Sequence, residues 1–282
     1  MSAAPGGRLG DTATRTYNRK LELFNRFAEP ELRQALGLLD PQPGQRVLDA
    51  GCGIGLLADW MAQAVAPDGL AIGLDLSVLH ARDAARMAPG AAILQADLTR
   101  APFGPDSFHR VWCANTINHV HDPVATIRQL SRLLVAGGRL ALGQSLFLPE
   151  MFFAWDERLE RAVLAANRRY YREKYGLDER ELTNVRNVLG WARAAGLRNV
   201  RARTLLIERV QPLSGLDRAY FTECVFEGYW GERVRPYLDL ADWRQLCRLT
   251  DPADPAFCLN RDDFHHLQSY TVISGERTAA SA

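Results

Sequence analysis

Residues 46–62, RVLDAGCGIGLLADWMA, constrain this chain more than any other stretch. A short apolar run leads into glycines at alternate positions, Gly51, Gly53 and Gly55, and then directly into apolar residues at helical spacing. Glycines in that place permit a sharp strand-to-helix turn and let a ligand approach bare backbone. The helix start beyond them presents free amides and a partial positive charge. A strand built on an apolar run of this kind is buried on both faces, which points to a parallel sheet covered by helices on each side.

The rest of the chain repeats the unit. Apolar strands are predicted at 70–75 (LAIGLD), 91–95 (AAILQ), 108–114 (FHRVWCA) and 139–145 (RLALGQS), with helices starting near Gly55, Ser77 and Pro123. After a disordered-looking start, Tyr17, Leu21, Phe24 and Ala28 give an amphipathic helix at about 16–28, and LDPQPGQ then breaks the chain. Beyond 145 the rhythm changes to a helix at about 156–174, a charged link DERE, a second helix stopped by Gly196, and a strand VRARTLLIER. A structureless stretch as long as 211–268 is out of place in a compact domain, so it reads as a helical insertion before a last strand, 269–275.

These elements predict an α/β fold: a doubly wound, seven-stranded, mostly parallel sheet with helices on both faces, plus helical cap insertions. The expected divisions are an N-terminal helix segment 1–40, a ligand-binding core 41–145, a cap 146–185, core again 186–210, a second cap 211–268, the last core strand 269–275 and a tail 276–282.

Composition narrows the function. A net charge of +1 over 282 residues argues against a nucleic-acid partner bound by phosphate neutralisation. No apolar run reaches the 18 or so residues of a membrane span, and MSAAPGGRLGDTATR lacks the apolar stretch of a secretory signal. Cys52, Cys113, Cys224, Cys247 and Cys258 are scattered and never spaced as CxxC, which fits neither a disulfide framework nor zinc. The expected location is the cytoplasm, with a homodimer left open. Only Lys20 and Lys174 are lysines among 34 basic residues, a bias of source rather than of function.

Two nucleotide readings compete for the glycine loop. A dinucleotide fingerprint needs a glycine where Leu56 stands, so that pattern fails. Asp49, two residues before Gly51, would repel a pyrophosphate but suits a ligand carrying an ammonium or sulfonium charge. Asp75 ends the second strand, where a carboxylate can accept both hydroxyls of a ribose, and Asp97 follows the third, in reach of an adenine amine. Singly, each aspartate is an ordinary helix cap or loop residue. Three in succession at strand ends point into the crevice of an open α/β sheet.

In VLDAGCGIG, GLDLS, ADLTRAPFGPDSFHRVW, NHVHDP and LLVAGGRLAL, in that order, the chain resembles the class I S-adenosylmethionine (SAM)-dependent methyltransferases of small-molecule type. The match is strong over about 40–145 and weak over 186–210 and 269–275. The resemblance implies SAM as cofactor and S-adenosylhomocysteine (SAH) as product. Asp49, Gly51, Cys52, Gly53 and Gly55 would then hold the methionine end, Asp75 with Leu76 the ribose, and Asp97 with Leu98 the adenine. Asn115 would meet the amino-acid end, and Tyr17 would close as a lid. His109 stands where the family carries an aspartate, a structural departure.

The end of the fourth strand faces the donor in this architecture, so the base is sought in CANTINHVHDP. The family pattern is a histidine pair before a DP dipeptide; Asn118 replaces the first, and His119 matches the second. An imidazole titrates near neutrality, against the alternative of a histidine satisfied by backbone at a strand–helix junction. No metal is expected. Phe152, Trp155, Tyr229 and Trp230 are candidates to line a substrate pocket, the alternative being that such rings form the caps' own core. Adjacent histidines on a helix diverge by about 100°, so of the pair His265 and His266 one is assigned to the cavity, His265, and the other to solvent. The six arginines of 186–209 read as a solvated face or as a preference for an anionic substrate.

The expected function is therefore metal-independent methyl transfer to oxygen or carbon of a small, largely apolar molecule, in bacterial natural-product biosynthesis. Alternatives are an N-methyltransferase, a cyclase or decarboxylase using SAM without transferring its methyl, or a non-catalytic binding protein. A nucleic-acid methyltransferase is disfavoured because CANTIN stands where an NPPY-type tetrad would be.

Overall fold

The computed structural model describes residues 11–14, 16–145, 151–153, 155–178 and 184–278. The first ten residues and Arg15 of the N-terminal segment, 146–150 and Ala154 of the first cap, most of the charged link, and 279–282 of the tail lie outside them.

Strands β1 (Arg46–Ala50), β2 (Leu70–Asp75), β3 (Ala92–Gln95), β4 (Phe108–Ala114) and β5 (Leu134–Gln144) run parallel in the order β3-β2-β1-β4-β5. The two-residue β6 (Met151–Phe152), the long β7 (Arg198–Val210) and β8 (His265–Glu276) complete the sheet. β8 is antiparallel to β5, β6 and β7, and among the described residues the two-residue β6 is the addition to the seven strands expected. Chain order reverses between β1 and β4, and ligands of open α/β sheets bind outside the strand ends at such a point.

Alternate residues of one strand feed opposite layers. Val47, Trp112, Ala141 and Val272 join a core with α2 (Glu29–Gly37) and α3 (Leu56–Val65). Leu48, Val111, Leu140 and Ile273 join another with α5 (Pro123–Leu133) and α7 (Val188–Ala194), the helix α4 (Val78–Met87) lying beside β2 and β3. The first layer continues without interruption into the cap. There α1 (Asn18–Phe27), α6 (Glu157–Tyr175) and α8 (Gly215–Ala219) meet a π-helical stretch, Tyr220–Trp230, followed by α9 (Gly231–Val234) and α10 (Leu240–Thr250). Phe27 stacks on Tyr220 with ring centroids 3.9 Å apart, fastening the N-terminal helix to the cap.

Two strands begin earlier than expected, β5 at Leu134 rather than Arg139 and β8 ahead of Ser269. β8 begins at His265, four residues before Ser269, because β7 extends to Val210 and pairs with it down to His265. The arginine-rich stretch is largely a solvated edge: Arg198, Arg201 and Arg203 are exposed on β7. Arg209 alone turns inward, bonded to Glu31, Asp217 and the Phe27 carbonyl. Among the described residues no helix is long and apolar enough to cross a membrane.

Candidate functional site

All three loop glycines have left-handed backbone, with φ of +87° at Gly51, +53° at Gly53 and +88° at Gly55. Gly51 and Cys52 N–H both donate to the Leu74 carbonyl, at 2.7 and 2.9 Å, tying the loop to β2. A Cβ on Gly51 would lie 2.3 Å from Thr116 Oγ1, and one on Gly55 2.9 Å from Ala84 Cα. Protein atoms therefore already claim the space at those two glycines. Gly53 differs, since its nearest neighbour is the flexible tip of Leu21, so here a ligand can reach the backbone.

Asp49 is 3% exposed, and its carboxyl group makes no hydrogen bond among the described residues. Burial first, then the neighbouring Asp75, pushes its carboxyl up to about 8. The groups that share its field are Asp75, Cys52, Cys113 and Tyr270, none of them a cation. A buried acid without a counter-ion at the foot of a bare loop fits a ligand bearing an ammonium or sulfonium group. Asp75 is organised differently. Its Oδ2 accepts Gly53 N–H at 2.9 Å and its Oδ1 accepts Ser77 N–H at 2.8 Å and faces His80 Nδ1 at 3.2 Å. A carboxylate has about four acceptor sites, so room for a hydroxyl donor remains.

Asp97 Oδ1 accepts the N–H and hydroxyl of Thr99, both at 2.8 Å, which leaves Oδ2 for a ligand. Leu98 is buried beneath this turn and Leu76 is partly exposed. Cys52 is buried, which raises its thiol well above the usual range and makes it inert. Asn115, at φ +48°, accepts Ser145 N–H and Oγ at 2.9 and 3.0 Å through Oδ1, holding the ends of β4 and β5 together.

His119 lies on a single 3-10 turn after β4, and its partner is a carboxylate rather than backbone: Nδ1 is 2.6 Å from Asp11 Oδ2. Asp11 belongs to an N-terminal strap. Two residues on, the Ala13 carbonyl accepts Val78 N–H at 2.9 Å. Tyr17 then donates its N–H to His80 Nε2 at 3.4 Å and packs edge-on against that ring. The strap thus passes from the end of β4 to the end of β2. With Nδ1 turned to Asp11, the other ring nitrogen, Nε2, is the one left to meet a ligand. Nothing in the sequence signalled Asp11, 108 positions from His119. His121 is exposed, and His109 accepts the Arg46 N–H at the opposite end of the sheet, a structural role.

Phe152 and Trp230 are buried in the cap with rings 5.3 Å apart, and Trp155 and Tyr229 pack half-buried around them. These rings form the cap's own core, the blander of the two expectations. His265 corrects the sequence reading. It lies on β8, not a helix, facing outward against Glu208 Oε1 at 2.8 Å and stacked on Phe153. His266 is fully buried between Phe152 and Phe221, 4.6 and 4.8 Å away. Adjacent residues of a strand point to opposite faces, which reverses the assignment of cavity and solvent. Two further groups went unnoticed in the sequence. Among the described residues the Tyr270 hydroxyl and Trp112 Nε1 are buried without hydrogen-bond partners, the hydroxyl packed over Gly143.

Residues 48–142 match a family model described as a methyltransferase domain. The chain is 37% identical over 119 residues to 27-O-demethylrifamycin SV methyltransferase of Amycolatopsis mediterranei, covering 40% of this chain and 43% of that protein. It is 33% identical over 108 residues to methyltransferase GfsG of Streptomyces halstedii, covering 37% and 39%. The chain thus spans about two fifths of the length of these relatives. A ubiquinone biosynthesis O-methyltransferase of Ralstonia nicotianae is 29% identical over 188 residues, 62% of this chain and 71% of its own. Among solved structures, a Bacillus halodurans protein superposes with a TM-score of 0.54 at 14% identity, over 89% of this chain and all of its own. Phosphoethanolamine N-methyltransferase 2 of Haemonchus contortus, in complex with SAM, gives 0.50 at 17%, over 99% of this chain and 55% of its own. These two likenesses concern the fold.

Proposed function

We propose that this chain, whose core belongs to the class I SAM-dependent methyltransferase family, methylates an oxygen or carbon nucleophile of a small, largely apolar molecule. The observation that carries the reading is His119 held by Asp11 beside the glycine loop. Bound SAM would supply an electrophilic methyl group on a sulfonium. Asp49, Gly51, Cys52, Gly53 and Gly55 would hold its cationic methionine end with Asn115, Asp75 and Leu76 its ribose, Asp97 and Leu98 its adenine. Tyr17 and the strap lie across these strand ends as a lid. His119 would take the acceptor's proton at Nε2, with Asp11 positioning the ring and balancing the imidazolium charge. Tyr270 and Trp112 offer buried donors toward an acceptor on the cap side of the sheet.

The divisions proposed are a lid at 1–40, a cofactor core at 41–145 continued at 186–210 and 269–275, and acceptor-selecting caps at 146–185 and 211–268. Oxygen is the favoured acceptor atom, since two relatives' names specify O-methylation or its demethyl substrate. A microbial natural product in the cytoplasm suits the same relatives, and the net charge of +1 suits a small molecule rather than a nucleic acid. A homodimer is the assembly to test.

Calorimetric titration with SAM and SAH, then mass spectrometry of co-purifying small molecules, tests the reading. Micromolar binding of both is expected, and binding of neither would end it. Once an acceptor is in hand, His119→Ala and Asp11→Ala should each lower turnover by about 10²-fold or more while SAH affinity holds. Undiminished turnover in His119→Ala would return the ring to a structural role.

A further inference from the structure

The chain's two lysines, far apart in sequence, come to the same place in the fold. Lys20 of α1 donates to the Gly228 carbonyl at 3.1 Å and lies 5.0 Å from the Tyr229 ring. Lys174 of α6 donates to the Tyr170 hydroxyl at 3.1 Å. Arg233 of α9 donates to the Tyr171 hydroxyl at 3.3 Å, and its guanidinium lies over the same Tyr170 ring that Lys174 faces, at 5.7 and 5.3 Å. None of the three cations makes an ion pair in the described structure; their partners are a carbonyl and phenols. Burial first, then Arg233 and Lys174, holds the Lys20 ammonium below its ordinary range.

By contrast, Arg209, which turns inward from β7, is paired with two acids, Glu31 and Asp217. Three converging cations without an acid repel one another, and an incoming anion relieves that repulsion. Their position gives the anion a purpose. Leu21, the residue after Lys20, is the side chain lying over Gly53 of the cofactor loop. The cluster therefore sits where α1 meets the cap, at the margin of the proposed cofactor site.

We propose that Lys20, Lys174 and Arg233, with the Tyr170 and Tyr171 hydroxyls, form a subsite for an anionic group, a carboxylate or a phosphate, carried by the acceptor. Its role as an acceptor subsite rests on the methyl-transfer reading; anion binding itself does not. The acceptor is then an apolar body bearing one anionic group, and the arginines of β7 take no part in its recognition.

Scarcity of lysine makes the test direct. Reductive methylation with 13C-formaldehyde keeps the charge and labels two side chains besides the terminal amine. The SAH-saturated protein is titrated with sodium phosphate, sodium acetate and sodium chloride at constant ionic strength. Both lysine signals should move together and saturate with one dissociation constant, and Arg233→Gln should weaken that constant at least fivefold. Saturation by phosphate alone identifies a phosphate site, and by acetate alone a carboxylate site. Non-saturating shifts, equal in all three salts, overturn the subsite and leave a solvated cationic face. A separate SAH titration keeps the outcomes apart: saturable anion binding without SAH binding would retain the subsite and remove its assigned role.

Discussion

The glycine-loop end of the sheet and the cap beside β6 and β8 are built from opposite materials. At the loop, positions are set by backbone: left-handed glycines, N–H groups donated to Asp75 and the Leu74 carbonyl, and two acids within each other's field with no cation between them. In the cap, position comes from volume, as Phe152, Phe221, Phe226, Trp230 and Phe264 interlock around the buried His266. The loop end carries an electrostatic cost in the free protein that a cationic ligand would lift. The cap carries stability. Affinity for the cofactor and resistance to unfolding should therefore separate between the two regions.

The largest effect expected is on the pH dependence of stability. Asp49 ionises near 8 in the folded chain against about 4 when unfolded, so between those values the native state keeps a proton that the unfolded chain has released. Its contribution to stability must fall as pH rises through this window. Urea unfolding of the wild type and Asp49→Asn across pH 4–9 should show a relative loss on the order of 5 kcal/mol in the wild type. At pH 7 SAM binding should also release a proton, read by calorimetry in buffers of different ionisation enthalpy. Parallel stability curves for the two proteins would show that the loop end carries no such cost.

Next in size, Phe152→Ala should cost about 3–5 kcal/mol of stability through the cavity it leaves, with SAH affinity changed less than twofold. Asp75→Ala should weaken SAH by about 1–3 kcal/mol and also loosen the loop, since Gly53 and Ser77 N–H lose their acceptor. Equal effects of these two substitutions on SAH affinity would erase the division between the regions. Smallest of all, Arg201→Ala on the exposed edge should stay within about 0.5 kcal/mol in urea unfolding. A larger loss would show that the arginine stretch does more than face solvent.

Local signals made much of the cofactor end legible. Strand β1, the turn at Gly51–Gly55 and the acids at the ends of β1, β2 and β3 are contiguous patterns whose conformational demands lie within a few residues of each other. The cap was legible only as composition. Its aromatic residues announced a core, but which rings met was decided by packing between segments as remote as Phe27, Phe152 and Tyr220. His265 and His266 show how one missing fact inverts an assignment. Read at the helical period the two diverge ambiguously, whereas pairing with β7 places them on opposite faces.

The sequence by itself determined the class of fold, the left-handed glycine turn and the chemistry each strand end can offer, because these depend on backbone sterics and short-range periodicity. Only the tertiary structure decided that Asp11 holds His119, that His266 rather than His265 turns inward, and that two lone lysines meet Arg233. Those juxtapositions arise from the closing of long loops around a packed sheet. Their partners lie dozens to hundreds of residues apart, beyond the range over which sequence pattern encodes contact.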